Sequence, residues 1–149
     1  MPAQDIIPVL QVSVGPVILI SGVGLLLLTL TNRLGRAIDR SRQLMGEMRT
    51  ANDADLRRLL AEVRMLYQRA KIIQGSIALA VLSVLFAAVM IILLFVTALL
   101  SWNAVGVVSL LFIGCLLSLI FSLALFLADI RTALHALKLE VANAVPEKR

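Results

Sequence analysis

The sequence predicts an all-α integral membrane protein with three transmembrane helices and a cytoplasmic helical hairpin between the first and the second. Two observations predict it. Of 149 residues, 60% are hydrophobic and only 15% charged, a balance foreign to water-soluble domains. The charges are also segregated: no Asp, Glu, Lys, Arg or His occurs from Ile6 to Asn32 or from Ile72 to Ala128. A soluble enzyme and a disordered tail are excluded, and few polar side chains remain from which to build a catalytic centre.

The first charge-free run, 27 residues, suffices for one helix across a hydrocarbon core roughly 30 Å thick. The second run, 57 residues, must fold back once, because one span needs only about 20 residues. Ser101, Trp102 and Asn103 interrupt it with polar side chains and an indole suited to the headgroup region, so the turn is expected there. The spans are accordingly placed near 6–32, 74–100 and 104–130. Residues 1–32 then form a short outer tail and the first span, 33–73 the basic hairpin, 74–130 the second and third spans, and 131–149 a C-terminal helix or tail.

Orientation follows from the basic residues. Ten of the fourteen Lys and Arg lie between Arg33 and Lys71 and the other four between Arg131 and Arg149. The positive-inside rule puts both segments in the cytoplasm, with the N-terminus and the Trp102 turn outside. The first hydrophobic segment lacks a basic stretch before it and is followed by arginines, so it reads as a retained helix and not as a cleaved signal peptide.

Helical signals continue beyond the spans. Leu34, Ile38, Met45 and Met48 share a face after the first span; Leu56, Leu59, Leu60, Val63, Leu66, Tyr67 and Ala70 form an amphipathic stripe, with Asn52 or Asp53 as N-cap. A turn near Thr50 to Asp53 makes these two stretches a hairpin continuous with spans one and two; helices lying flat on the membrane are the alternative. The tail after Arg131 carries Leu134, Leu137, Leu139 and Val141 and is expected to be helical as far as Pro146. His135 has no second His or Cys beside it, so no metal site is expected, and Cys115, mid-helix in span three, reads as a small packing residue.

Span one contains Gly24-Leu25-Leu26-Leu27-Leu28 and is followed by Asn32-Arg33-Leu34-Gly35-Arg36 and Asp39-Arg40-Ser41-Arg42; Tyr67-Gln68-Arg69-Ala70-Lys71 leads into span two. In this order of features the chain resembles domain-of-unknown-function family 2721. The resemblance covers most of the chain and implies a three-span bacterial membrane protein. It implies no activity and assigns no site residue.

The junction residues have chemistry of their own. Arg33, Arg36 and Arg40 fall at i, i+3 and i+7, one helical face at the height of lipid phosphates, where each basic residue is worth roughly 1 kcal/mol beside an anionic leaflet. Asp129, at the inner end of span three, needs a partner near the hydrocarbon edge, and Arg33 or Arg36 is within reach by this topology.

Each span also carries a face of small residues: Gln11, Gly15, Ile18, Gly22 and Thr29 in span one, Ser76, Ala80, Ser83 and Ala87 in span two, Gly114, Ser118 and Ser122 in span three. Such faces permit close helix approach, within one subunit or between subunits of a homo-oligomer. Pro8, Gly15 and Pro16 are expected to break or kink span one, freeing carbonyls that must find partners in protein or water.

Two functional readings follow. One is a passive channel or pore of a homo-oligomer in the bacterial inner membrane, lined by Gln11, Gly15, Ile18, Gly22 and Thr29. The other is a scaffold whose basic hairpin binds anionic lipid or an acidic partner protein. An enzyme is not expected, since no Ser/His/Asp set, HExxH, CxxC or phosphate-binding glycine loop occurs. No cofactor and no nucleic acid are expected either, because Tyr67 is the one aromatic residue among the arginines.

Overall fold

The computed structural model describes residues 6–100 and 104–144, with side chains described as far as Leu134. The described residues form three helices: α1 (Ile6–Glu47), α2 (Asp53–Leu100) and α3 (Val105–Ala144). Each contains an apolar stretch long enough to cross a membrane, so the chain is a multi-pass membrane protein with three spans. The turn expected at 101–103, the ends at 1–5 and 145–149, and the side chain of His135 lie outside the described residues.

The helices have 42, 48 and 40 residues, which at 1.5 Å per residue is about twice the thickness of a hydrocarbon core. The stretches 34–47, 56–70 and 131–141 are therefore prolongations of the spans. Arg, Glu, Leu, Ala and Met, which fill these stretches, are good helix formers, and neither a proline nor a glycine pair intervenes to stop the helix.

The helix ends are closed locally. Arg49 and Thr50 donate their backbone N–H groups to Gly46 and Glu47, each at 3.2 Å, and the Thr50 hydroxyl donates to the same Glu47 carbonyl, so α1 ends in a tightened last turn. The Asn52 carbonyl accepts the Leu56 N–H at 2.8 Å, which makes Asn52 the N-cap of α2, and Asp53 and Asp55 oppose the positive end of the helix dipole. At the start of α3 the Ala104 carbonyl accepts the Val108 N–H.

Helix α1 is continuous through Pro16, where a break or kink is expected from the sequence. Pro8 falls in the first turn, where the N–H has no acceptor within the helix in any case. Pro16 removes a single interior hydrogen bond, and in an apolar surrounding closing the helix around one missing bond costs less than unpairing its neighbours.

Contacts divide the chain into two units: Met1–Thr29 with Ile77–Ser122, and Leu30–Ser76 with Leu123–Arg149. The first unit is inverted relative to a soluble protein. Its buried positions are mostly small or weakly polar, among them Ser13, Ala80, Ser83, Ala87, Cys115, Ser118 and Ser122, while Leu25, Val105 and Leu110 are each 70% exposed. In water that distribution would waste the hydrophobic effect; in lipid, large apolar side chains lose nothing by facing outward, and small ones let helices approach. Buried residues of α2 recur at Ala80, Ser83, Ala87 and Met90, and those of α3 at Cys115, Ser118 and Ser122, alternating steps of three and four that give a left-handed 3.5-residue seam. Along it the Cys115 thiol donates to the Ser83 carbonyl at 3.3 Å, and Gly114 leaves room for Phe86, whose ring lies 3.4 Å from where a Cβ would stand.

In the second unit Leu30, Leu44, Ile73, Ser76 and Asp129 are buried. Gly75 admits Leu125, whose Cδ1 lies 3.3 Å from the site of an added Cβ. Leu56, Leu59, Val63, Leu66 and Ala70 of the expected stripe are half-buried, whereas Leu60 and Tyr67 face outward. The packing surface is thus narrower than the apolar pattern, closer to a coiled-coil seam than to a broad amphipathic face.

Ser83→Leu forces a large side chain into the seam and is expected to destabilise the protein by about 1–3 kcal/mol, read as a lower melting temperature in detergent. Leu110→Ala, on the outer surface, is expected to stay within about 0.5 kcal/mol. Equal effects at the two positions would contradict the inverted core.

Candidate functional site

The charged end of the apolar segments holds the chemistry. Asp129 of α3 is fully buried, and its carboxylate is shared between two arginines of the other helices. Arg33 of α1 donates from Nε at 3.1 Å and from Nη2, both to Oδ2; Arg69 of α2 donates from Nε to Oδ1 at 3.3 Å. The Arg33 guanidinium also lies 5.4 Å from the centroid of the Phe126 ring.

Physical chemistry requires this arrangement. Removing a carboxylate from water costs several kcal/mol, recovered only by well-placed opposite charge and hydrogen bonds to both oxygens. Both Asp129 oxygens have donors, and among the described residues no buried side-chain nitrogen or oxygen lacks a partner. The two arginines are each about one-quarter exposed, so both are largely covered and remain accessible in part.

Of the residues singled out from the sequence, Arg33 and Asp129 meet, and Arg36 and Arg40 do not join them. Arg40 instead pairs with Glu62 at 3.1 Å across α1 and α2, a partly exposed contact worth at most about 1 kcal/mol. Arg36 is exposed, with no described carboxylate at ion-pair distance. The sequence reading missed Arg69, although a signal was present. Glu62, Arg69, Ser76 and Ser83 recur every seven residues, so Arg69 lies on the line that becomes the buried seam.

Arg33, Arg36 and Arg69, with Ala37, Leu66 and Ile73, line a cleft of about 280 Å³ between α1 and α2. A second hollow of about 350 Å³ adjoins the turn, where Arg40 and Arg58 alternate with Glu47, Asp55 and Glu62. The first is one-signed at its surface and suits an oxyanion; the second is internally balanced. Among the described residues no three His, Cys, Asp or Glu side chains gather as a metal site would require.

Gln11, Gly15, Ile18, Gly22 and Thr29 are all exposed on α1, and a Cβ added at Gly15 or Gly22 would meet nothing within 4 Å. The small faces of α2 and α3 behave differently. Ser76, Ala80, Ser83 and Ala87 are completely buried within the chain, as are Ser118 and Ser122 nearly so. Only the α1 face is left without a partner helix.

A family model described as protein of unknown function (DUF2721) matches residues 13–139. No curated protein and no solved structure matches the chain.

Asp129→Asn leaves two guanidiniums facing a neutral amide and is expected to lower the melting temperature in detergent. A double-mutant cycle with Arg33→Gln should return a coupling of about 0.5–3 kcal/mol. Additive effects would mean that the contact does not hold the unit together.

Proposed function

The chain belongs to the DUF2721 family of proteins of unknown function, and from that premise we propose that it is a membrane-embedded interaction module that binds anionic phospholipid through its basic segment. The working part is the stretch 33–73, read as a cytoplasmic hairpin, with the N-terminus outside and the C-terminus inside a bacterial cytoplasmic membrane.

One observation carries the reading. Among the ten basic residues from Arg33 to Lys71, the described ion pairs occupy Arg33, Arg40 and Arg69; the other seven, Arg36, Arg57 and Arg64 among them, are exposed without a described carboxylate at ion-pair distance. Anionic headgroups supply the missing charge, at roughly 1 kcal/mol per basic residue near the surface. The positive-inside rule supports the orientation, because the same residues that fix topology then face the more anionic leaflet.

A second reading has support from the exposed face of α1. Gln11, Gly15, Ile18, Gly22 and Thr29 form a small, weakly polar strip left over after the other small faces are consumed in the chain. In a homo-oligomer that strip would face a partner subunit or a central path.

Native mass spectrometry of the protein in nanodiscs of mixed phosphatidylglycerol and phosphatidylcholine tests the first reading. Anionic lipid is expected to be retained in preference, and changing Arg57, Arg58 and Arg64 together to Gln should weaken retention by at least about tenfold. No preference for anionic lipid would refute it. The same spectra give subunit number. If a ring of four or more appears, Gly22→Leu should abolish ion flux across liposomes; a monomer would end the pore reading.

A further inference from the structure

We propose that the cleft between α1 and α2 is a discrete site for the phosphate group of one anionic phospholipid, held by Arg33, Arg36 and Arg69. The inference rests on the lipid-binding reading above and sharpens it from a diffuse basic surface to one defined position.

The charge balance favours an anion. Three guanidiniums line the cleft, and a single carboxylate, Asp129, answers them from within the helix packing. Two positive charges are left for a ligand, matching a phosphomonoester headgroup such as that of phosphatidate better than a singly charged carboxylate. Glu62 is engaged by Arg40, away from the cleft lining.

The donors are also held in advance. Asp129 engages Nε and Nη2 of Arg33 and Nε of Arg69, which leaves Nη1 of Arg33 and both Nη atoms of Arg69 with N–H groups that the carboxylate does not use. Phe126 covers the Arg33 guanidinium at 5.4 Å and restricts it further. Ordering long arginine side chains is a large part of the cost of gripping an anion, and here the fold has already met it for two of the three. Arg36, exposed at the rim, is the arm free to close on the ligand.

A lipid, not a soluble phosphate, is indicated by the rest of the lining. Ala37, Leu66 and Ile73 give the cleft apolar lining, and Ile73 lies in the long run without a charged residue from Ile72 to Ala128. Arginines interleaved with apolar side chains, with Ile73 on the span side of Arg69, complement an amphiphile whose phosphate lies at the headgroup level. The volume of about 280 Å³ exceeds what a phosphate alone fills, leaving room for its glycerol linkage.

The test is native mass spectrometry of the full chain in mild detergent, titrated with phosphatidate, with phosphatidylcholine and with inorganic phosphate. One phosphatidate per chain should bind at about tenfold lower concentration than phosphatidylcholine. Arg36→Gln should weaken that first binding about tenfold, the loss of one charge-assisted contact, while leaving the melting temperature of the lipid-free protein unchanged. Arg57→Gln should lower the number of further phosphatidates held by the general basic surface while changing the first binding by less than about twofold. If Arg36→Gln and Arg57→Gln weaken phosphatidate binding equally, the diffuse basic surface stands and the discrete site falls. If phosphatidate shows no preference over phosphatidylcholine, both fall. Displacement of phosphatidate by millimolar inorganic phosphate, or by an acidic peptide, would reassign the cleft to a soluble ligand and overturn the lipid assignment.

Discussion

A buried carboxylate fixes what the helix seams leave undetermined. Along α2, Ser76 and Ser83 are seven residues apart, as are Ala80 and Ala87, so sliding the helix by one heptad sets serine on serine and alanine on alanine at two of these positions and brings Met90 and Leu94 to the other two. Packing of small residues therefore discriminates only in part between registers. Asp129 removes the degeneracy. Its oxygens need donors at one height, and Arg33 of α1 and Arg69 of α2 supply them there. In any shifted register a fully buried charge would be left bare, at a cost of several kcal/mol. Single polar groups serve the same purpose in coiled coils, where they trade stability for a defined register.

The spans were legible because the membrane imposes the strongest constraint that a sequence can carry. Two charge-free runs and the lengths needed to cross the core place three helices, and the structure has three. How far the helices continue was less legible, since charged stretches of good helix formers look alike whether they prolong a span or stand apart. Pro16 leaves α1 unbroken for a related reason. Its effect in water is to break a helix, whereas in an apolar surrounding backbone groups have nowhere else to go. Leu60 and Tyr67 fit a helical stripe by spacing but face outward, because a seam of period 3.5 accepts fewer positions than a stripe of period 3.6.

Of the charged site, half could be read. Asp129 was identifiable as a carboxylate in the wrong place, and Arg33 as a basic residue at a matching height. Arg69 was hidden among ten basic residues, and what distinguishes it is not its charge but its phase with Ser76 and Ser83. The cleft itself could not be inferred from either helix alone, because it takes Arg33 and Arg36 from one and Arg69, Leu66 and Ile73 from the other.

The same guanidiniums that satisfy Asp129 line the cleft, and this sharing has a thermodynamic consequence. An anion in the cleft competes with Asp129 for Arg33 and Arg69 and also neutralises the surplus charge that their proximity creates. Which effect dominates depends on how many N–H groups each arginine has to spare. Asp129 uses two nitrogens of Arg33 and one of Arg69, out of three on each, so donors are left over for a ligand without releasing the carboxylate. Binding then relieves repulsion between the arginines while the pairing beneath them stays intact, and any ligand that binds the folded state alone stabilises it by mass action. A lysine at either position would not serve. Its single ammonium cannot direct fixed, divergent N–H groups toward a carboxylate on one side and a phosphate on the other, as the planar guanidinium does.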